Sequence, residues 1–225
     1  MNKPINVLFT MANNSTAPYF EWFADLSLKS EDINLSFVMF TKERPELEKK
    51  YRDRGIQVHW IDFDCDQRKK QIFKAARKFR KLVRIVKPDI VHSHLFDDAL
   101  ICRIGLWMKS KPKFIVTKAD TGFHYRYTPK WMILDKSINR KSAHLVAISG
   151  ECKQFIIAEE NTPADKISVI HHGIPKEVFA KDYDQEIREV KSLYPIEDKL
   201  LFCTVSRYID WKGYLDIIDA IDKAR

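Results

Sequence analysis

Short apolar runs alternate with longer amphipathic or polar stretches along most of this chain, and that alternation limits the possible folds more than any other feature. Runs at 6–11, 34–40, 57–61, 89–94, 113–117, 144–148 and 167–170 have the length and composition of buried strands. Between them, residues 17–28, 45–54, 68–87, 97–108, 131–140 and 150–160 read as helices, with Gly55 and Pro88 placed as stops. A strand followed by a helix, repeated, predicts an α/β fold: a Rossmann-like parallel sheet with helices on both faces. No internal repeat or low-complexity tract interrupts the pattern.

Composition narrows the function. The chain has 225 residues, 45% of them hydrophobic, and a formal net charge of +8. That size allows one large domain or somewhat more, and the charge favours anionic partners. Nucleic acid is not expected, because no aromatic-basic platform or reading helix is present. Cys65, Cys102, Cys152 and Cys203 form no Cys-x-x-Cys pair, so no zinc knuckle or redox motif is indicated. Cys102 and Cys203 lie in apolar runs and read as core thiols, which suits a reducing cytoplasm. The amino-terminal apolar run is too short for a signal peptide, and no run reaches the roughly 20 residues of a membrane span.

Three stretches carry candidate chemistry. In LLFCTVSRYIDWKGYLDIIDA, residues 200–220, LLFCTV reads as a buried strand and YLDIIDAI as a helix with Leu215, Ile218 and Ile221 on one face. Arg207 leaves the strand, and Lys212 and Gly213 open the helix. Two cations at a helix N-terminus suit a phosphate or diphosphate, although a solvated basic turn has the same composition. The helix over 68–87, from Arg68 to Lys87, has no acidic residue and places apolar residues at Ile72, Phe73, Ala76, Phe79, Leu82, Val83 and Val86. It is either a sheet-covering helix with a cationic outer face or a peripheral contact with anionic lipid. His92 and His94, two apart on one strand, point the same way, but a metal needs further ligands that no motif supplies. No metal is expected.

The segments KISVIHHGIPKEVF and SRYIDWKG together resemble glycosyltransferase family 4, in His172-Gly173-Ile174-Pro175, Phe179, Ser206-Arg207 and Lys212-Gly213. The resemblance covers roughly residue 87 onward and, more weakly, the whole chain. It implies a GT-B-like fold, with an acceptor-side domain over 1–178 and the first β-α unit of a donor-binding domain, left incomplete, over 179–225. It implies a retaining transferase that moves a sugar from a nucleoside-diphosphate donor to a saccharide or lipid-linked acceptor, in cell-surface polysaccharide synthesis. No bound cofactor is implied; the nucleotide sugar is a substrate. Arg207 and Lys212 would hold the donor diphosphate. The cytoplasm, at the inner face of the membrane, is the implied location, and it favours the lipid reading of residues 68–87. Relatives continue for several more β-α units, so a shortened form is expected to turn over weakly or not at all.

The resemblance also places an acceptor-side cleft along the strand exits. Asn13, Asn14, Ser15 and Thr16 stand where relatives carry glycines, though a capped helix start explains them as well. His92, His94, Lys118, Ser149 and Gly173 complete that side; Ser149 is equally an N-cap, and Gly173 is expected to permit a sharp bend. Where relatives carry Thr-x-His, this chain has Thr117-Lys118-Ala119. Ala119 cannot hydrogen-bond, so His124 and Asp120, with Lys118 nearby, are the candidate stand-ins, and an ordinary loop is the alternative. Two other functions fit the same features: a non-catalytic saccharide- or partner-binding remnant, and a GT-B nucleotide-sugar epimerase or hydrolase.

Overall fold

The computed structural model describes residues 3–12, 18–108, 111–180, 182–194, 200–206, 208–209 and 212–224. The first elements are β1 (Ile5–Met11), α1 (Pro18–Leu28), β2 (Ile33–Thr41), α2 (Glu46–Asp53), β3 (Gln57–Asp62) and α3 (Arg68–Val86). Then come β4 (Ile90–Ser93), α4 (Phe96–Gly105), β5 (Lys113–Lys118), the short α5 (Phe123–Tyr127), α6 (Met132–Lys141), β6 (His144–Ala147), α7 (Gly150–Ala158) and β7 (Ile167–Val169). Three helices follow: α8 (Glu177–Ala180), α9 (Asp184–Leu193) and α10 (Tyr214–Lys223). The strands form one seven-stranded sheet in the order β3-β2-β1-β4-β5-β6-β7, and every pairing is parallel. The expected Rossmann-like α/β sheet is present.

Successive strand residues point to opposite faces, and here both faces are dry. Leu8, Val38 and Phe40 join one core with Ile72, Ala76 and Phe79 of α3, Ile101 of α4, Ile138 of α6 and Ile156 of α7. Their strand neighbours Phe9, Phe37 and Met39 join the other, with Phe20 of α1 and Leu47 and Tyr51 of α2. Helix α3 therefore spends its apolar stripe on the sheet. Phe73, expected on that stripe, is 69% exposed, because it follows Ile72 by one residue and projects away from the buried face. Gly105 permits the close approach of α3 and α4: a Cβ there would lie 2.7 Å from Phe79 Cδ1 and 3.1 Å from the Ala76 carbonyl.

The chain divides into two compact units, Met1–Gly173 and Ile174–Arg225, so residue 178, drawn from the sequence, lies inside the second. The second unit corrects two expectations. The run 200–205 forms no strand and is exposed, and Cys203 with it. A strand needs a ladder partner for its backbone groups, and none of the seven paired strands comes from this unit. The helix forms as expected, as α10, because its hydrogen bonds are internal; Leu215 and Ile218 are exposed. Gly213 is its N-cap residue, at φ 67°.

Gly105→Ala is expected to destabilise the protein by about 1–3 kcal/mol through overpacking against Phe79, read as a lower urea midpoint.

Candidate functional site

In an open parallel sheet, ligands bind beyond the carboxyl ends of the strands, where the connections part to opposite sides. The chain parts between β1 and β4, and the exits of β1, β4, β5 and β6 adjoin along one rim. One carboxylate organises the first two exits. Asp98, in the first turn of α4, is fully buried. Its Oδ2 accepts a 2.5 Å hydrogen bond from Thr10 Oγ1 of β1 and a 3.1 Å bond from the His94 amide, and its Oδ1 accepts from the Leu95 amide at 2.8 Å. Burial pushes its pKa up to about 7 against the pull of those donors. Asp97 instead pairs with Arg68, whose guanidinium lies 4.7 Å from the Trp131 ring.

The histidines leaving β4 form a neutral, aromatic wall. His92 Nε2 lies 2.8 Å from Thr117 Oγ1 of β5. The two imidazoles are 4.3 Å apart, and Phe9 packs on His94 at the same separation. Burial lowers the His92 pKa to about 4 and holds that of His94 well below the usual value, with His92 and His172 adding to the latter. His94 Nε2 is buried with no hydrogen-bond partner among the described residues.

Beside this wall a cavity of about 260 Å³ opens between β5, α4, α5 and α6, with His94, Phe96, Lys118, Ala119, His124 and Glu160 among its lining. A buried polar network forms its base. The Lys118 ammonium lies 2.8 Å from Asp135 Oδ1 and 3.2 Å from Glu160 Oε1. Burial opposes that charge, but the Glu160 and Asp135 carboxylates overcome it and raise the lysine pKa. Glu160 Oε2 accepts from Asn139 Nδ2 at 2.5 Å, and the same amide reaches Thr162 at 3.0 Å. The other Asp135 oxygen meets His124 Nδ1 at 2.6 Å. A carboxylate on Nδ1 fixes the orientation of the ring. Phe96 and Trp131 hold the ring at centroid separations of 4.2 and 5.5 Å.

The residues proposed from the sequence occupy different places. His124 and Ala119 share the cavity. Lys118, expected on an open acceptor cleft, turns its ammonium inward to two carboxylates. Asp120 also lines the cavity, but its Oδ1 accepts from the amides of Gly122 and Phe123, at 3.0 and 2.9 Å, and shapes the loop into α5. Ser149 is the N-cap of α7, its Oγ accepting from the Cys152 amide at 3.1 Å. Gly173 has no close neighbour and no left-handed backbone, so the expected bend does not require glycine there. Asn13, Asn14, Ser15, Thr16 and Arg207 lie outside the described residues. Lys212 is exposed, and its amide donates to the Ile209 carbonyl at 2.9 Å. Among the described residues, one cluster with the spacing of metal ligands is Asp64, Cys65 and Asp66, away from this cavity and mostly exposed.

Sequence reading missed Asp135 and Glu160, and placed Asp98, with Asp97, only at the opening of a helix, where it suits the dipole. A signal for the first was present: Asp135 and Asn139 are one helical turn apart and flank buried Ile138, which puts polar groups on the inner face of α6.

The sequence profile of glycosyltransferase family 4 matches residues 28–178. This chain belongs to glycosyltransferase family 4. No curated protein is a significant match by sequence. Among solved structures, the chain is similar to Anabaena Alr3699/HepE in complex with UDP and glucose, at 13% identity and a TM-score of 0.70, covering 98% of this chain and 58% of that one. It is similar to a glycosyltransferase from Rickettsia africae, at 19% identity and a TM-score of 0.68, over 100% of this chain and 58% of the other. A UDP-N-acetylglucosamine 2-epimerase from Rickettsia bellii is also similar, at 16% identity and a TM-score of 0.58, over 84% and 51%. The family 4 chain thus spans a little over half the length of these proteins, and the likeness establishes a GT-B fold rather than a shared reaction.

Asp135→Ala is expected to cost about 3–5 kcal/mol in chemical denaturation, because it leaves Lys118 with one carboxylate and His124 with none. A pH test isolates the histidine wall. Unfolded His94 takes up a proton near pH 6.5 and folded His94 resists it, so its contribution to stability is lost as pH falls below about 6.5. The stability cost of His94→Phe is therefore smaller at pH 5 than at pH 7. Comparing variant with wild type at each pH separates this effect from that of Asp98, whose raised pKa acts in the opposite sense over the same range.

Proposed function

We propose that this chain is the acceptor-side part of a retaining glycosyltransferase that takes sugar from a nucleoside-diphosphate donor and passes it to a saccharide or lipid-linked acceptor. The observation that carries this reading is the His124–Asp135 pair beside Ala119 in one cavity at the strand exits, inside the family-matched region. Ala119 stands where the family pattern places a histidine, and His124 supplies an oriented imidazole to the same space. Arg207 and Lys212 would neutralise the donor diphosphate as the glycosidic bond breaks; such a contact is worth roughly 3 kcal/mol.

The likeness to a protein complexed with UDP and glucose supports a uridine-diphosphate donor. A role in cell-surface polysaccharide synthesis at the inner face of the membrane accords with the family reading. The outer face of α3, with Lys69, Lys70 and Arg77 exposed, would meet anionic headgroups there. No helix among the described residues is long and apolar enough to cross a membrane.

Transfer is tested by mass spectrometry of products from UDP-sugars with saccharide and lipid-extract acceptors. Loss of about 100-fold in His124→Ala with folding intact is expected for an imidazole acting on the sugar, whereas full transfer by that variant would remove the role. The second reading, an epimerase, rests on the likeness to the Rickettsia bellii enzyme, and a donor converted without acceptor to its epimer would select it.

A further inference from the structure

At the opposite end of the sheet from the candidate site, a second cavity of about 300 Å³ lies between the C-terminal turns of α3 and α4 and the segment entering β5. Arg80, Arg84, Lys87 and Lys111 line it, with Asp89 as its one carboxylate. Among the described residues Asp89 forms no ion pair with these cations. Its Oδ2 accepts from the amide and side-chain nitrogen of Asn6, at 2.9 and 3.3 Å. Among the described residues no ion pair is formed by Arg84, Lys87 or Lys111, although nine lysines and arginines of the chain's first 80 residues have one. Arg80 is held in place: its Nε donates to the Gly105 carbonyl at 2.9 Å, and its terminal nitrogens have no hydrogen-bond partner among the described residues.

The helix dipole accounts for part of this arrangement. Arg84 and Lys87 follow the common preference for cations at a helix C-terminus. Lys111 belongs to no helix, and Arg80 is nearly two turns inside α3, so the dipole does not explain why four cations converge on one concavity. Like charges so gathered repel one another, and an anion relieves that repulsion.

We propose that this cavity is a phosphate-binding site, separate from the sugar-transfer cleft and independent of the reading given above for it. A phosphomonoester or diphosphate has the charge and the several acceptor oxygens to meet an arginine fork and two ammonium groups at once. The same phosphate chemistry is offered by a lipid headgroup at a bilayer surface and by a soluble phosphate.

The test uses two substitution pairs of equal charge change. Calorimetric titration of the whole chain with inorganic pyrophosphate is expected to show binding that weakens about tenfold or more in Arg84→Gln/Lys111→Gln, while Arg188→Gln/Lys191→Gln, in α9, changes it by less than about twofold. All four residues are exposed, and matched thermal melts confirm that the variants fold. Flotation with phosphatidylcholine vesicles carrying phosphatidic acid distinguishes the sources. Recruitment that falls in the Arg84/Lys111 pair and is competed by pyrophosphate identifies the headgroup; pyrophosphate binding without recruitment identifies a soluble phosphate. Equal weakening in both pairs, or no wild-type binding to pyrophosphate or vesicles, overturns the site.

Discussion

A parallel sheet buries both of its faces, and the rest of this molecule follows from that requirement. Each strand must offer apolar side chains alternately to two layers of helices, so Leu8 and Phe9, or Val38 and Met39, serve different cores. The apolar face of each covering helix is then committed inward. Helix α3 shows the consequence: its apolar stripe lies on the sheet and its many cations remain outside. With both faces covered, the ends of the sheet are the places left for a ligand, and the two ends differ in character.

At the carboxyl end, polar groups are folded into the protein rather than displayed. The Asp98 carboxyl gathers Thr10 and two backbone amides, which ties the exit of β1 to the start of α4. Lys118, Asp135, Glu160, Asn139 and His124 form one connected network beneath the cavity. Such a network is costly to assemble in a dry interior and costly to break, so it holds side-chain geometry firmly. One member is the His124 imidazole, anchored through Nδ1 to Asp135. The neutral His92–His94 wall beside it adds shape without charge. At the amino end, Arg80, Arg84, Lys87 and Lys111 line a concavity, and among the described residues Arg84, Lys87 and Lys111 form no ion pair.

The order and type of elements in the first unit were legible because they depend on local period and local stops. Strands 5–11 and 113–118, the helix over 68–86 and the cap at Ser149 each follow from residues close in sequence. The run 200–205 shows the limit of that reasoning. Its composition is that of a strand, yet a strand is completed only by a neighbour, and no described neighbour pairs with it. The apolar placement of Cys203 misled for the same reason.

The sequence by itself determined that the chain would lay down a parallel α/β sheet, that it belongs among the family 4 glycosyltransferases, and that Ala119 replaces a histidine of the family pattern. Only the tertiary structure decided that His124 and Ala119 line one cavity, that Lys118 pairs with two buried carboxylates, and that Arg80, Arg84, Lys87 and Lys111 line another cavity. Hydrophobic periodicity is a short-range property that a linear pattern records directly. The partner of a charge is set by chain segments far apart in sequence, as Lys118 with Glu160 and Thr10 with Asp98 are, and no local pattern encodes that meeting.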